Sequence, residues 1–217
     1  MDKICVSIFA NDFNFCIEVV MKYEFVELRL DKGQLNNAQI GEIITAGKNI
    51  IATCRASFIP DENRFDTLLS AINQGTEYID IEHEFESGFK NKLIEAAKKK
   101  GCKIINSYHN YDVTPCFNEL LKIAKSLENN CVIIKIACKV NSRDDLINLM
   151  TLYKEFEPGK LISLGLGDMG RISRVAAIFL GAPFSYASVK NGLETAEGLL
   201  EYENLKYILD GLEFGRL

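Results

Sequence analysis

Short apolar or strictly alternating runs, rich in β-branched residues, recur along the chain. Between them lie longer stretches in which apolar positions return every three or four residues. The first pattern is that of a strand and the second that of an amphipathic helix. Strands are predicted at Ile4–Ala10, Phe25–Asp31, Ile50–Ala56, Tyr78–Glu84, Lys103–His109, Val132–Cys138, Leu161–Gly167 and Phe184–Val189. Helices are predicted between them at Asp12–Lys22, Asn36–Gly47, Arg64–Gly75, Gly88–Lys100, Pro115–Asn129, Ser142–Phe156 and Arg171–Leu180, with a last one over Tyr202–Leu212. Gly47, Gly75, Gly101 and Gly181 fall where helices end. Ser142, ahead of Arg143-Asp144-Asp145, reads as an N-cap with acidic residues in the first turn.

Strand–helix alternation from end to end, with no break in composition, predicts an α/β fold: one (β/α)8 TIM barrel, a single domain over residues 1–217. An open doubly wound sheet would carry a glycine-rich phosphate loop after the first strand, and Phe9-Ala10-Asn11-Asp12 contains no glycine.

Composition narrows the classes. Of 217 residues, 47% are hydrophobic and 25% charged, as in an ordinary globular protein. Thirty acidic against 25 basic residues leave a net charge of −5, and no basic stripe is visible, so no nucleic-acid partner is expected. No apolar run is long enough to cross a bilayer, and no membrane partner is expected. The opening Met1-Asp2-Lys3-Ile4-Cys5-Val6 runs straight into a strand, without the layout of a signal peptide. Seven scattered cysteines without a CxxC pair read as reduced thiols of a cytoplasmic protein. Two histidines and unclustered cysteines are a poor ligand set, so no metal is expected.

In a barrel of this kind chemistry sits at the C-terminal ends of the strands. The polar residues near those ends are Glu27 and Arg29, Arg55, Asp80 and Glu82, Ser107 and His109, Lys135, and Asp168 with Arg171 and Arg174. Side chains alternate with period two, so Glu27 shares a face with Arg29, and Asp80 with Glu82. The helix layer is apolar, so these pairs belong inside the top of the barrel. Lys135 stands in the middle of the apolar run Cys131-Val-Ile-Ile-Lys135-Ile-Ala-Cys138. Burial disfavours its charged form, and a neutral amine attacks carbonyl carbon to give a Schiff base. On that strand alone, a solvent-facing edge lysine is the commoner arrangement. Lys139, four residues on, is expected past the strand end and solvated. His109 on the neighbouring strand can shuttle protons, and Glu82 can orient its imidazole. His83 has the opposite parity and is expected to be structural. Arg29, Arg55 and Arg174 suit an anionic substrate, because guanidinium forks grip carboxylates. A small carboxylic acid bearing a ketone follows from these residues.

Glu27-Leu-Arg29-Leu-Asp31, Thr53-Cys-Arg55-Ala-Ser57, Asp80-Ile-Glu82, Ser107-Tyr-His109-Asn110, Thr114-Pro115, Lys135-Ile-Ala137 and Ile172-Ser-Arg174 together resemble the type I 3-dehydroquinate dehydratases, in order along nearly the whole chain. The resemblance implies a barrel, a homodimer, and dehydration of 3-dehydroquinate to 3-dehydroshikimate in the shikimate pathway, with neither metal nor organic cofactor. It implies Lys135 as the imine-forming residue, His109 as general acid/base and Glu82 as its partner. It further implies that Arg174 binds the substrate carboxylate, that Glu27, Arg29 and Arg55 hold hydroxyls, and that Ser7 and Thr195 line the pocket. The chain departs from the family in its lid, where Thr195-Ala196-Glu197-Gly198-Leu199 stands for Ser-Ala-Pro-Gly-Gln. It departs again at Leu164 and Leu166, where methionines are usual, and in lacking a hairpin ahead of the first strand. Two other readings fit part of the pattern. One is another lysine-dependent barrel lyase of aldolase or transaldolase type. The other is a binding relative with an altered lid.

Overall fold

The computed structural model describes residues 3–56 and 59–213. Among these residues nine parallel strands lie in one sheet: β1 Ile4–Phe9, β2 Phe25–Arg29, β3 Asn49–Thr53, β4 Tyr78–Glu82, β5 Lys103–Asn110, β6 Ile133–Lys139, β7 Leu161–Leu166, β8 Ser185–Ser188 and β9 Leu200–Glu201. Among the described residues eight α-helices alternate with them: α1 Phe13–Lys22, α2 Asn37–Ala46, α3 Asp61–Asn73, α4 Ser87–Lys100, α5 Phe117–Ser126, α6 Arg143–Thr151, α7 Ser173–Leu180 and α8 Tyr202–Glu213. The strand order is β7-β6-β5-β4-β3-β2-β1-β8-β9, and the sheet curls until residues of β7 and β8 share one apolar cluster. This is a (β/α)8 barrel with a short extra strand. The sequence pattern missed β9, because a strand of two residues is too short to show alternation. Ser57, part of one motif above, lies outside the described residues.

Alternation along the strands sorts the two sides of the sheet. Val6, Ile8, Val26, Leu28, Ile50, Ala52, Ile79, Ile81 and Ile104 pack outward into one cluster with α1 to α4. The opposite parity faces inward and changes character with height. Low in the barrel it is apolar, with Phe25 edge-on to Phe184 at 4.6 Å between ring centroids and Tyr78 close by. One pleat higher it is polar: Ser7, Glu27, Thr53, Asp80, Ser107 and Lys135, all buried. Burying that many polar groups requires mutual hydrogen bonds.

Local signals account for most boundaries. Ser142 caps α6 in a capping box with Asp145, and Asn36 does the same for α2 with Gln39. Gly101 and Gly181 take the left-handed conformation at the ends of α4 and α7, which glycine adopts without strain. Helix α3 begins three residues before its predicted start: Pro60 occupies the N-cap, and Asp61 and Glu62 fill the first turn, where carboxylates favour the helix dipole. That shift turns Arg64 from a helix start into a buried residue of the first turn.

Candidate active site

A cavity of about 180 Å³ opens at the C-terminal mouth of the barrel. Glu27, Arg55, His109, Lys135, Arg174 and Tyr186 are among its walls. Ser7, Arg29 and Thr195 line it as well, so of the nine site residues expected from sequence all but Glu82 meet in one space, joined by Tyr186, which was not expected. Glu82 does not reach the wall and stands behind His109, with its Oε1 3.6 Å from His109 Nδ1.

Strand register explains the convergence. Ser7 pairs with Glu27 on β1 and β2, Glu82 with Ser107 on β4 and β5, and Ser107 with Lys135 on β5 and β6. Asp80 is the hub. It takes both guanidinium nitrogens of Arg55 at 2.9 and 2.6 Å, the Ser107 hydroxyl at 2.5 Å and Lys135 Nζ at 3.1 Å. Lys135 Nζ also lies 3.5 Å from Glu27 Oε1 and 4.1 Å from the centroid of the Tyr186 ring. Two carboxylates and an aromatic face therefore stand beside Lys135; the carboxylates follow from the inward parity of Asp80 and Glu27, and the Tyr186 ring does not. Glu27 in turn accepts from Ser7 at 2.5 Å and from Thr53 at 2.9 Å.

Burial by itself would raise the Asp80 carboxyl, but Arg55 and Lys135 more than offset it and hold the group far below the usual carboxylate range. Glu27 follows the same balance, with burial overcome by Lys135, Arg55 and Arg29. Burial pushes His109 down, and the positive charges of Arg55 and Lys135 push it further, well below the ordinary imidazole value. His109 is therefore a neutral base at physiological pH. Burial also holds Arg174 down at about 10 and drives the Tyr186 phenol well above its ordinary value.

The arginines differ in what they hold. Arg55 donates to Asp80 and Ser107, and Arg29 forks onto Asp31 at 2.8 and 2.9 Å. Arg174 donates to two backbone carbonyls, Gly198 O at 2.8 Å and Glu197 O at 3.3 Å. These carbonyls belong to residues 195–199, which fold over the cavity. Thr195 binds the Ser7 hydroxyl at 2.6 Å, and its carbonyl accepts from Arg29 at 3.0 Å. Leu199 is 2% exposed and packs into the same apolar cluster as Leu164. Lys139 closes β6 and pairs with Glu197, contrary to its expected place in solvent. His83 is exposed beyond the end of β4, away from the cavity.

Sequence reasoning gave no site role to Asp80, Tyr186 or Tyr111. Asp80 shares the parity of Glu82, which was a usable signal. Tyr186 continues the inward parity of Phe184, but nothing local says that its ring reaches Lys135. Tyr111 follows β5 and stacks on His109, two residues before it, with ring centroids 6.0 Å apart, so its shared parity with His109 was a usable signal too. Among the described residues no grouping of three or more histidine, cysteine, aspartate or glutamate side chains is placed to hold a metal ion. No described helix is long and apolar enough to cross a membrane.

A lysine, a neutral histidine and several guanidinium groups around one cavity define a (β/α)8-barrel enzyme that works on a small polar molecule. The chain belongs to the type I 3-dehydroquinase family, whose model it matches over residues 4–213. It is 28% identical over 221 residues to the 3-dehydroquinate dehydratase of Methanococcus maripaludis strain C5, an alignment that covers 97% of this chain and 100% of that one. The crystal structure of 3-dehydroquinate dehydratase from Aquifex aeolicus is similar at a TM-score of 0.79 and 28% identity, with both chains fully covered. That from Geobacillus kaustophilus reaches a TM-score of 0.89 at 18% identity, covering 100% of this chain and 93% of the other, a likeness of fold.

Proposed function

We propose that this protein is a hydro-lyase that converts 3-dehydroquinate to 3-dehydroshikimate and water, a step of the shikimate pathway, through a Schiff base on Lys135. Membership of the family supports the reaction. The observation that carries the mechanism is the position of Lys135: it lines the cavity at the barrel mouth together with His109, and Asp80 and Glu27 flank its Nζ.

The chemistry follows from these groups. The substrate ketone condenses with the Lys135 amine, losing water, and the cationic imine acidifies the adjacent carbon. His109, neutral in the free site, removes that proton. The resulting enamine expels the β-hydroxyl, to which His109 returns the proton. Water then hydrolyses the imine. Glu82 steadies the imidazole from behind, with Oε1 on the Nδ1 side. Arg174 receives the substrate carboxylate by exchanging the lid carbonyls for it. Glu27, Arg29, Arg55, Ser7 and Thr195 surround the ring hydroxyls. No cofactor enters this scheme. The carbonyl chemistry alone would also suit an aldolase, but the arginine-rich wall fits a free carboxylate, and the family match favours dehydration.

We further propose that the whole chain, residues 1–217, is one catalytic domain, that it acts as a homodimer, and that it works in the cytoplasm. Seven cysteines, none of the described ones in a disulfide, support the last reading.

Trapping tests the mechanism. With 3-dehydroquinate and borohydride, the peptide bearing Lys135 is expected to gain the mass of the reduced adduct, and only when substrate is present. Lys135→Met is expected to fold, bind ligand, and show neither adduct nor turnover. Substantial dehydration by that variant would remove the Schiff base from the mechanism.

A further inference from the structure

Arg64 is among the largest fully buried side chains of the protein and lies outside the cavity wall. Its guanidinium is committed on every side. Nε donates to Cys54 O at 3.1 Å, Nη1 to Asp61 Oδ1 at 2.7 Å and Nη2 to Glu82 Oε2 at 2.5 Å. The group also lies over the Phe85 ring, 4.4 Å from its centroid. Asp61 is anchored in turn, since its other oxygen accepts from Glu86 N–H at 2.9 Å. Nothing in the dehydration scheme uses this residue.

The division of labour at Glu82 shows what it does. Oε2 takes two donors, Arg64 Nη2 and the Ala56 N–H at 2.9 Å. That fixes the carboxylate plane and leaves Oε1 turned the other way. Oε1 then faces Arg55 Nη1 at 3.5 Å and His109 Nδ1 at 3.6 Å. His109 Nδ1 is buried and makes no hydrogen bond among the described residues, so Glu82 Oε1, at ion-pair distance, is the acceptor it faces. A carboxylate oxygen facing Nδ1 favours the tautomer with the proton on Nδ1, which leaves Nε2 as the basic nitrogen. We propose that Arg64 is a positioning residue: it locks the orientation of Glu82 and, through Glu82, the tautomer and ring orientation of His109. A lysine in its place cannot do this, because one ammonium cannot span Cys54, Asp61 and Glu82 with the geometry of a planar fork.

The inference rests on His109 acting as the base, so its test has an arm independent of turnover. In a His83→Gln background His109 is the sole imidazole, and its ¹⁵N NMR signals report the tautomer. A single Nδ1–H form is expected with Arg64 present, and a mixture in Arg64→Met or, should that variant not fold, in Arg64→Lys. In turnover of 3-dehydroquinate, the same variants are expected to lose roughly tenfold or more in kcat per borohydride-titrated site, with KM within about threefold of wild type. Glu82→Gln is expected to lose as much, and adding Arg64→Met to it to lose little more, because coupled residues are non-additive. An unchanged tautomer in both Arg64 variants overturns the proposal. So does a loss that vanishes when rate is counted per titrated site, or one that simply multiplies with that of Glu82→Gln. Absence of turnover in the unaltered protein would instead defeat the dehydratase reading and leave the tautomer measurement standing.

Discussion

Asp80 holds more of this site together than any residue with a chemical role. It receives a guanidinium fork, a hydroxyl and an ammonium within 3.1 Å, all inside the barrel. Removing one member of a buried ionic network leaves the others uncompensated, which costs about 3–5 kcal/mol. Asp80→Asn is therefore expected to lower the unfolding free energy by about that amount. A shift of the urea midpoint at unchanged slope would measure it. A loss below about 1 kcal/mol would mean that Arg55 and Lys135 find other partners, the nearest being Glu82 for Arg55 and Glu27 for Lys135. At this scale the sequence was half legible. The period-two rule placed Asp80, Glu82, Glu27 and Arg29 on the inner face. Which carboxylate would pair with which cation was not legible, because it depends on register between strands and on side-chain reach. The same limit hid Arg64, whose partners lie on the β3 exit, in its own first turn and on β4.

Between β8 and β9 the lid shows how unequal contacts combine. The Lys139–Glu197 pair is the most conspicuous link, yet Glu197 is largely exposed, and such pairs contribute about 0.2–1 kcal/mol. The buried donors of Arg174 and Arg29 on lid carbonyls hold the segment more firmly. Gly198 is its tightest point. Its φ is +78°, and a Cβ there would stand 2.5 Å from the carbonyl oxygen of Gly167. That oxygen is backbone, so the lid must move instead. A side chain forced into left-handed φ costs about 1–2 kcal/mol before the clash is counted. Gly198→Ala is accordingly expected to raise the KM for 3-dehydroquinate by roughly tenfold, the equivalent of about 1.4 kcal/mol. It should also speed proteolysis near residue 195 while leaving the barrel folded. An unchanged KM would show that residues 195–199 do not touch the substrate. Neither β9 nor this lid follows a hydrophobic period. Only likeness to a family pointed to Thr195, whereas the eight principal strands announced themselves by alternation.

The whole molecule stacks an apolar lower barrel under a charged upper one, and this arrangement couples its stability to pH in one direction. Asp80 and Glu27 titrate lower in the folded state than in the unfolded chain, despite burial, because Arg55 and Lys135 face both. The stability they contribute is present above the ordinary carboxylate values near ~4 and is lost as pH falls through their folded values. His109 is also depressed, first by burial and then by the charges around it. Arg55 beyond β3, Lys135 on β6 and Arg29 on β2 disfavour its protonation, while Asp80 and Glu82 on β4 oppose them only in part. Its contribution is complete above the unfolded value of ~6.5 and declines as pH drops below that, since the unfolded chain then binds the proton more readily. All three groups thus make the unfolded state the better proton acceptor on the acid side. Unfolding free energy is expected to be level near neutrality. It should then fall by up to about 1.4 kcal/mol per pH unit between roughly pH 6.5 and 5, the slope of a single proton, and more steeply near pH 4. Guanidinium titrations at pH 7, 6 and 5 measure the first limb, and His109→Gln assigns it, because that variant should be equally stable at pH 7 and 6. Equal stability of the unaltered protein at pH 7 and 5 would mean that the buried imidazole accepts a proton without cost. The cluster of cations around it would then not be the charged, water-poor surroundings that the proposed proton transfer needs.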